Sequence, residues 1–124
     1  MSDLRPTPHK IKLGGEEFGL LFSINAIDEI QDHFDIPISK LTDVLKDQRA
    51  IFKNLKYILT VLINEGIDDE ENERRHVEER WVGRKITANN IQSLTKDILL
   101  AFSEGSPEAD PEGDEEDAPN GESE

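Results

Sequence analysis

The sequence predicts an α+β domain, mainly α-helical, in which an N-terminal β-hairpin packs on a small bundle of four to five helices. Residues 9–22 alternate polar and apolar side chains around a Gly-Gly pair, whereas apolar residues further along recur every three or four positions. Only 35% of the 124 residues are hydrophobic, which suffices for one modest core. We therefore expect a flexible leader at 1–8, a single domain at 9–104 and a disordered acidic tail at 105–124.

The hairpin is predicted from two short segments separated by a two-residue turn. Residues 9–13 read HKIKL and residues 16–22 read EEFGLLF, with Gly14 and Gly15 between them. Gly-Gly favours a hairpin turn because glycine accepts the positive φ angles that such turns require. An isolated hairpin is marginally stable in water, so we expect this one to rest on the helices that follow.

The first two helices are marked by a start signal and a stop signal. Ser23 is a good N-cap residue, because its hydroxyl accepts a hydrogen bond from a first-turn amide. An apolar stripe at helical spacing follows, made of Ile24, Ile27, Ile30 and Phe34. Pro37 disfavours helical geometry at the residue before it and should end the helix. A second helix is expected from about residue 38, with a stripe of Ile38, Leu41, Val44 and Leu45.

The third predicted helix, residues 50–65, is the most apolar segment of the chain. Tyr57 and Val61 widen its apolar stripe beyond one face, which indicates burial against two neighbours. Gly66 is the expected C-cap, because glycine commonly ends helices in the left-handed conformation.

The charged segment that follows should contain a short helix at residues 72–81. Acidic residues at its start and Arg80 near its end suit the helix dipole, and Val77 lies four residues before Trp81 on one face. Gly83 is expected to break this helix. Thr87 is the predicted N-cap of a last helix from residue 88 to about residue 104.

Much of the negative charge lies in the last twenty residues. The chain has 28 Asp and Glu against 14 Lys and Arg, a net charge of −14. Residues 105–124 hold nine acidic residues and no basic one, which leaves 19 acidic and 14 basic residues before them, a net of −5. Such a tail cannot bury enough apolar area to offset its ordering entropy. It is either a solubilising segment or an electrostatic decoy or spacer that protects an interaction surface.

Composition excludes several functional classes. The chain has no cysteine, which excludes disulfide scaffolds, thiol enzymes and thiolate zinc sites and fits a cytoplasmic location. No apolar run approaches the ~18 residues of a membrane span. A chain of this charge should repel the phosphates of nucleic acid, so neither a membrane nor nucleic acid is an expected partner.

We find no motif that predicts chemistry. The three histidines, His9, His33 and His76, lack metal-ligand spacing, and phosphate loops and nucleophile elbows are absent from the sequence. We therefore expect no catalytic residue, no cofactor and no metal, and a protein that is not an enzyme. The candidate partner-binding residues are Tyr57, Val61, Val77 and Trp81. Each of them either completes the core or anchors a partner.

The order of these elements matches a recognisable pattern. Residues 12–20 fit x-L-x-G-x-x-x-x-L, and residues 24–34 fit xx-A-[ILV]-xx-[IL]-xxx-[FG]. The helix LKYILTVLINEG, a charged spacer and a closing LTKDILLAF follow. In this pattern the sequence resembles the tail assembly chaperones of long-tailed bacteriophages, prophages and gene transfer agents.

The resemblance implies a non-enzymatic protein of the host cell cytoplasm. Such chaperones bind the tape measure protein, keep it soluble, help to recruit tail tube subunits and are absent from the mature virion. The implied partners are therefore the tape measure protein and the major tail tube protein, with self-association as a further expectation from the wide apolar girth of the third helix. Two alternatives stay open: an acidic mimic of DNA and a generic protein-interaction adaptor.

Overall fold

The computed structural model describes residues 8–70 and 73–105, which form a two-stranded antiparallel hairpin and five α-helices. The elements are β1 (His9–Leu13), β2 (Glu16–Leu20), α1 (Ile24–Phe34), a 3-10 turn (Ile38–Lys40), α2 (Leu41–Leu45), α3 (Ile51–Glu70), α4 (Glu79–Lys85) and α5 (Ile91–Gly105). The predicted fold class is confirmed. The predicted leader and acidic tail lie, apart from residues 8 and 105, outside the described residues.

The hairpin has the predicted turn and register. Gly14 and Gly15 both have positive φ angles, 62° and 82°, and the strands pair so that Ile11 lies opposite Phe18. Alternation places the apolar side chains of both strands on one buried face: Ile11, Leu13, Phe18 and Leu20. This face rests on the helices, as the instability of an isolated hairpin requires.

Helix α1 begins and ends as predicted. The Ser23 hydroxyl accepts a hydrogen bond from the amide of Ala26 at 3.0 Å, and Pro37 lies just beyond the end of the helix. The chain leaves α1 through Asp35, a non-glycine residue in the left-handed conformation with φ 57° and ψ 48°. This conformation brings the Cβ of an L-residue close to its carbonyl oxygen, which raises its energy.

Asp35→Gly should therefore stabilise the protein by about 0.5 kcal/mol, since glycine adopts this conformation without a steric penalty. Asp35→Ala should have the opposite sign, because alanine keeps the Cβ and lacks the short polar side chain that helps aspartate here. Urea unfolding midpoints measure both variants. A gain with alanine as large as that with glycine would contradict the prediction.

Helix α3 is the centre of the fold, because it contacts β2 and each of the other four described helices. Its buried side chains include Leu55, Ile58, Leu59, Leu62 and Ile63. It is longer than predicted and continues through Gly66, so the expected C-cap is wrong. Gly66 instead allows close approach of β2: a Cβ at this position would lie 2.2 Å from the carbonyl oxygen of Gly19. Beside this contact, the Leu21 amide donates to the Leu62 carbonyl at 3.2 Å.

The helix predicted at residues 72–81 is also wrong: α4 begins at Glu79 and runs through Gly83. Tertiary contacts hold the preceding segment out of helical geometry. The Asn64 side chain accepts from the Val77 amide at 2.7 Å and donates to the Val77 carbonyl at 3.0 Å, and Arg74 donates to the Glu17 carbonyl at 2.8 Å. These bonds satisfy backbone groups that a helix would otherwise use.

The predicted cap residue Thr87 lies one turn before α5, which begins at Ile91 and not at residue 88. The Thr87 hydroxyl accepts from the Asn90 amide at 3.2 Å, while the Asn90 side chain accepts from the Thr87 amide at 2.7 Å, a reciprocal arrangement like a capping box. Residues 88–90 form a turn, and α5 itself begins at Ile91. Near its other end, His9 contacts Asp97 at 3.1 Å and Glu104 at 3.2 Å, which ties β1 to α5.

Candidate protein-binding surface

The structure places the four predicted partner-binding residues in three different environments. Tyr57 is half-buried beside α1, and Val61 is 9% exposed and belongs to the core. Val77 and Trp81 are half-buried and line the same groove. The four residues therefore do not form one patch, and only Val77 and Trp81 are brought together.

Tyr57 belongs to an aromatic cluster between α1 and α3. Its ring stacks on His33 with centroids 3.7 Å apart and meets the edge of Phe34 at 5.7 Å. Partial burial raises the pKa of the Tyr57 hydroxyl above its ordinary value of 10.0, and the charges of Glu29, Glu79 and Asp32 raise that pKa further. The neutral hydroxyl, which also hydrogen-bonds Glu29, is thus favoured in the folded state.

A pH-dependent loss of stability follows from this raised pKa. Because Tyr57 ionises more readily in the unfolded chain, its contribution to stability is complete below pH 10 and is lost as pH rises through its higher folded-state value. Tyr57 is the only tyrosine, so absorbance at 295 nm reports it alone, and we expect a midpoint above 10.0. Glu29→Gln should lower this midpoint, whereas Asp28→Asn on the same helix should leave it in place. Equal effects of the two variants would contradict the assignment.

The first groove lies between the hairpin and residues 74–84 and has a volume of about 390 Å³. Trp81 forms one wall, with its ring edge-on to Phe18 at 5.8 Å and the Lys85 ammonium 5.5 Å from its centroid. The Arg74 guanidinium covers the Phe18 ring at 4.3 Å and also pairs with Glu16 at 3.3 Å. Aromatic rings and cations thus alternate across the groove, an arrangement that favours cation–π contact.

A second groove lies on the other side of α4, against the first half of α3, with a volume of about 430 Å³. Its lining consists of Phe52, Lys53, Lys56, Arg80, Gly83, Arg84 and Ile86. Phe52 is 52% exposed, unusually high for a large apolar side chain in this protein. Arg84 lines both grooves, so they adjoin across α4. We call the two grooves together the α4 surface.

The α4 surface is basic although the chain is acidic. Its lining contains six of the fourteen Lys and Arg residues and only two carboxylates. The cations are Lys53, Lys56, Arg74, Arg75, Arg80 and Arg84, and the carboxylates are Glu16 and Glu78. The sequence prediction missed these cations. Their spacing could have predicted two basic helix faces. Lys53 and Lys56 lie three residues apart and Arg80 and Arg84 lie four apart, so each pair shares one face of a helix. That spacing became informative only when the fold brought the two pairs together.

Within residues 8–70 and 73–105, no group of three or more His, Asp or Glu side chains is placed to hold a metal ion. None of the helices in the same ranges is long and apolar enough to cross a membrane. Comparison of the chain with protein-family models, with curated proteins and with solved structures finds no match.

Proposed function

We propose that this chain is a tail assembly chaperone of a long-tailed bacteriophage or prophage, which acts in the host cytoplasm without enzymatic chemistry. It binds the tape measure protein, keeps it soluble and helps to recruit tail tube subunits. The observation that carries the proposal is the α4 surface, where aromatic side chains stand among cations in two adjoining grooves. The order of hairpin and helices supports it too, since the resemblance rests on that order.

The chemistry of the α4 surface suits a long amphipathic helix. The apolar face of such a helix can lie in a groove, with Phe52 and Trp81 as contacts for its apolar side chains. Aromatic and arginine residues carry a large share of the binding energy at protein interfaces. The cations at the rim would pair with acidic residues of the client and orient it. The net charge of −14 keeps the complex soluble.

Co-expression with a phage tape measure protein tests this function. We expect the soluble fraction of that protein to rise several-fold when this chain is present. An equally insoluble long protein with and without the chain would overturn the proposal.

Two exposed apolar residues provide a matched pair for locating the contact. Phe52 lies at the start of α3 on the α4 surface. Ile24, 58% exposed, is the first residue of α1, and its neighbour Ser23 donates a hydrogen bond to Glu65 in the later part of α3. Phe52→Ser should reduce the soluble fraction of the client at least threefold, and Ile24→Ser should leave it unchanged. A loss with Ile24→Ser alone would move the contact away from α4.

An acidic mimic of DNA is the second candidate, favoured by the net charge of −14. Such a mimic needs many carboxylates at phosphate-like spacing on a rigid surface, whereas residues 1–104 carry a net charge of only −5. Deleting residues 106–124 separates the two functions. A mimic built on those residues would lose its target, while the chaperone, whose α4 surface is unchanged, would still bind its client in a pull-down.

A further inference from the structure

We propose that the groove between α3 and α4 binds the acidic C-terminal segment of the same chain, residues 106–124. Two observations support the docking: the groove and the segment have opposite charges, and α5 ends within reach of the groove. The docking does not depend on the chaperone function proposed above. It would give the α4 surface an occupant when no client is bound.

The groove offers a concentrated positive charge. Lys53 and Lys56 approach it from α3, and Arg80 and Arg84 from α4. No carboxylate of residues 8–70 or 73–105 lies in its lining or forms a salt bridge with any of the four. Four like charges around one groove repel each other, so an anionic occupant lowers the energy of the folded protein.

The C-terminal segment has the complementary chemistry. Residues 106–124 contain nine Asp and Glu and no Lys or Arg, with four acidic residues in succession at 114–117. The prolines and glycines in this range have low helix propensity, so helix formation competes little with docking. Because the segment belongs to the same chain, its effective concentration at the groove is in the millimolar range or above.

The position of α5 places the groove within reach. The first residue of α5, Ile91, shares a recess with Ile51 at the start of α3, beside the groove residue Phe52. The 15-residue α5 then carries the chain about 22 Å away from that end. Asp114 lies nine residues beyond Gly105, and nine extended residues span about 30 Å. The acidic run can therefore return along α5 to the groove.

A spin label tests the docking in the full chain. The protein has no cysteine, so Ala118→Cys creates a unique site for a nitroxide next to the acidic run. We expect the amide signals of Lys53, Lys56, Arg80 and Arg84 to broaden at least threefold more than those of Lys10 and Lys12. The latter two are exposed on β1, which contacts α5 and lies near Glu104, so a segment that merely trails from Gly105 would broaden them more. Strongest broadening on β1, or uniform broadening, would overturn the proposal.

Charge variants provide the matched control. Arg80 and Arg84 are exposed, and replacing both with glutamine should abolish the broadening at α3 while leaving the fold intact by circular dichroism. Replacing Lys10 and Lys12 with glutamine removes the same amount of charge on β1 and should leave the broadening at α3 unchanged. Sodium chloride at 0.5 M should reduce it by more than half, because salt screens charge pairs. Broadening that survives the arginine change would overturn the proposal.

Other occupants are distinguished by two further samples. The first sample mixes isotope-labelled protein that carries no spin label with spin-labelled protein at natural isotope abundance, so it detects docking between copies. Broadening in this mixture equal to that within one chain would overturn same-chain docking. Groove amides that shift on addition of a single-stranded DNA oligonucleotide, without tail broadening beforehand, would assign the groove to an external polyanion and overturn it as well. No client is present in any of these samples, so the result is independent of the co-expression experiment.

Discussion

Gly66→Ala is expected to destabilise the protein by about 3 kcal/mol or more, although alanine is the best helix former. In an unconstrained helix this change stabilises by about 1 kcal/mol. Here the new Cβ would lie 2.2 Å from the Gly19 carbonyl oxygen and 3.0 Å from its carbon, both backbone atoms of β2. Relief requires moving the hairpin away from α3, which would also weaken the hydrogen bond from the Leu21 amide to the Leu62 carbonyl.

Gly83 provides the control, because it is also a glycine inside a helix. A Cβ there would meet the Lys56 side chain at 2.8 Å, and that flexible side chain can move at low cost. Gly83→Ala should therefore be neutral or stabilise by up to about 1 kcal/mol. Urea unfolding followed by circular dichroism gives both values. Equal effects of the two changes would show that the approach of Gly19 does not constrain the fold.

Phe18→Ala should have the other large effect, a loss of about 3–5 kcal/mol. Phe18 is 1% exposed and joins the hairpin to the α4 surface, with Trp81 edge-on to its ring at 5.8 Å and Arg74 above it at 4.3 Å. Truncation leaves a cavity where these contacts were. A small domain has a stability of only about 5–15 kcal/mol, so the alanine variant could lose most of it. Phe18→Leu has a smaller expected loss and is the variant to measure if Phe18→Ala does not fold.

Phe52→Ala removes the same side chain from an exposed position and should cost less than about 1 kcal/mol. Trp81 is the only tryptophan, so its emission reports the groove directly. We expect a shift to longer wavelength in Phe18→Ala and none in Phe52→Ala. A similar loss of stability in the two variants would mean that Phe18 is not the connection between the hairpin and α4.

Local signals predicted the elements whose determinants are local. The Gly-Gly turn, the Ser23 cap of α1 and the Thr87 cap of α5 act within a few residues of themselves, and all three are found. The errors fall where distant segments decide. Gly66 meets Gly19 across 47 positions, and Asn64 fixes Val77 across 13, so neither the length of α3 nor the start of α4 could be derived from its own residues.

The candidate site shows the same division. Trp81 could be singled out because tryptophan within a charged segment is conspicuous, but its half-buried position beside Phe18 depends on the fold. Val61 could not be assigned to the core without knowing which neighbours cover α3. Four of the six cations of the α4 surface come from α3 and α4, and the pair Lys53 and Lys56 lies more than twenty positions before the pair Arg80 and Arg84. The sequence alone does not show that Lys56 lies against Gly83.

The contact between His9 and Glu104 has a consequence for how the chain can be rearranged. Residues at the first strand and at the end of the last helix are in hydrogen-bond contact at 3.2 Å, so a short linker could join the two ends of the described fold. New termini could then open in the exposed stretch around Asp47 and Gln48, between α2 and α3. Such a circular permutant would keep every strand and helix, and it would separate the attachment point of any fused protein from the edge where β1 meets α5.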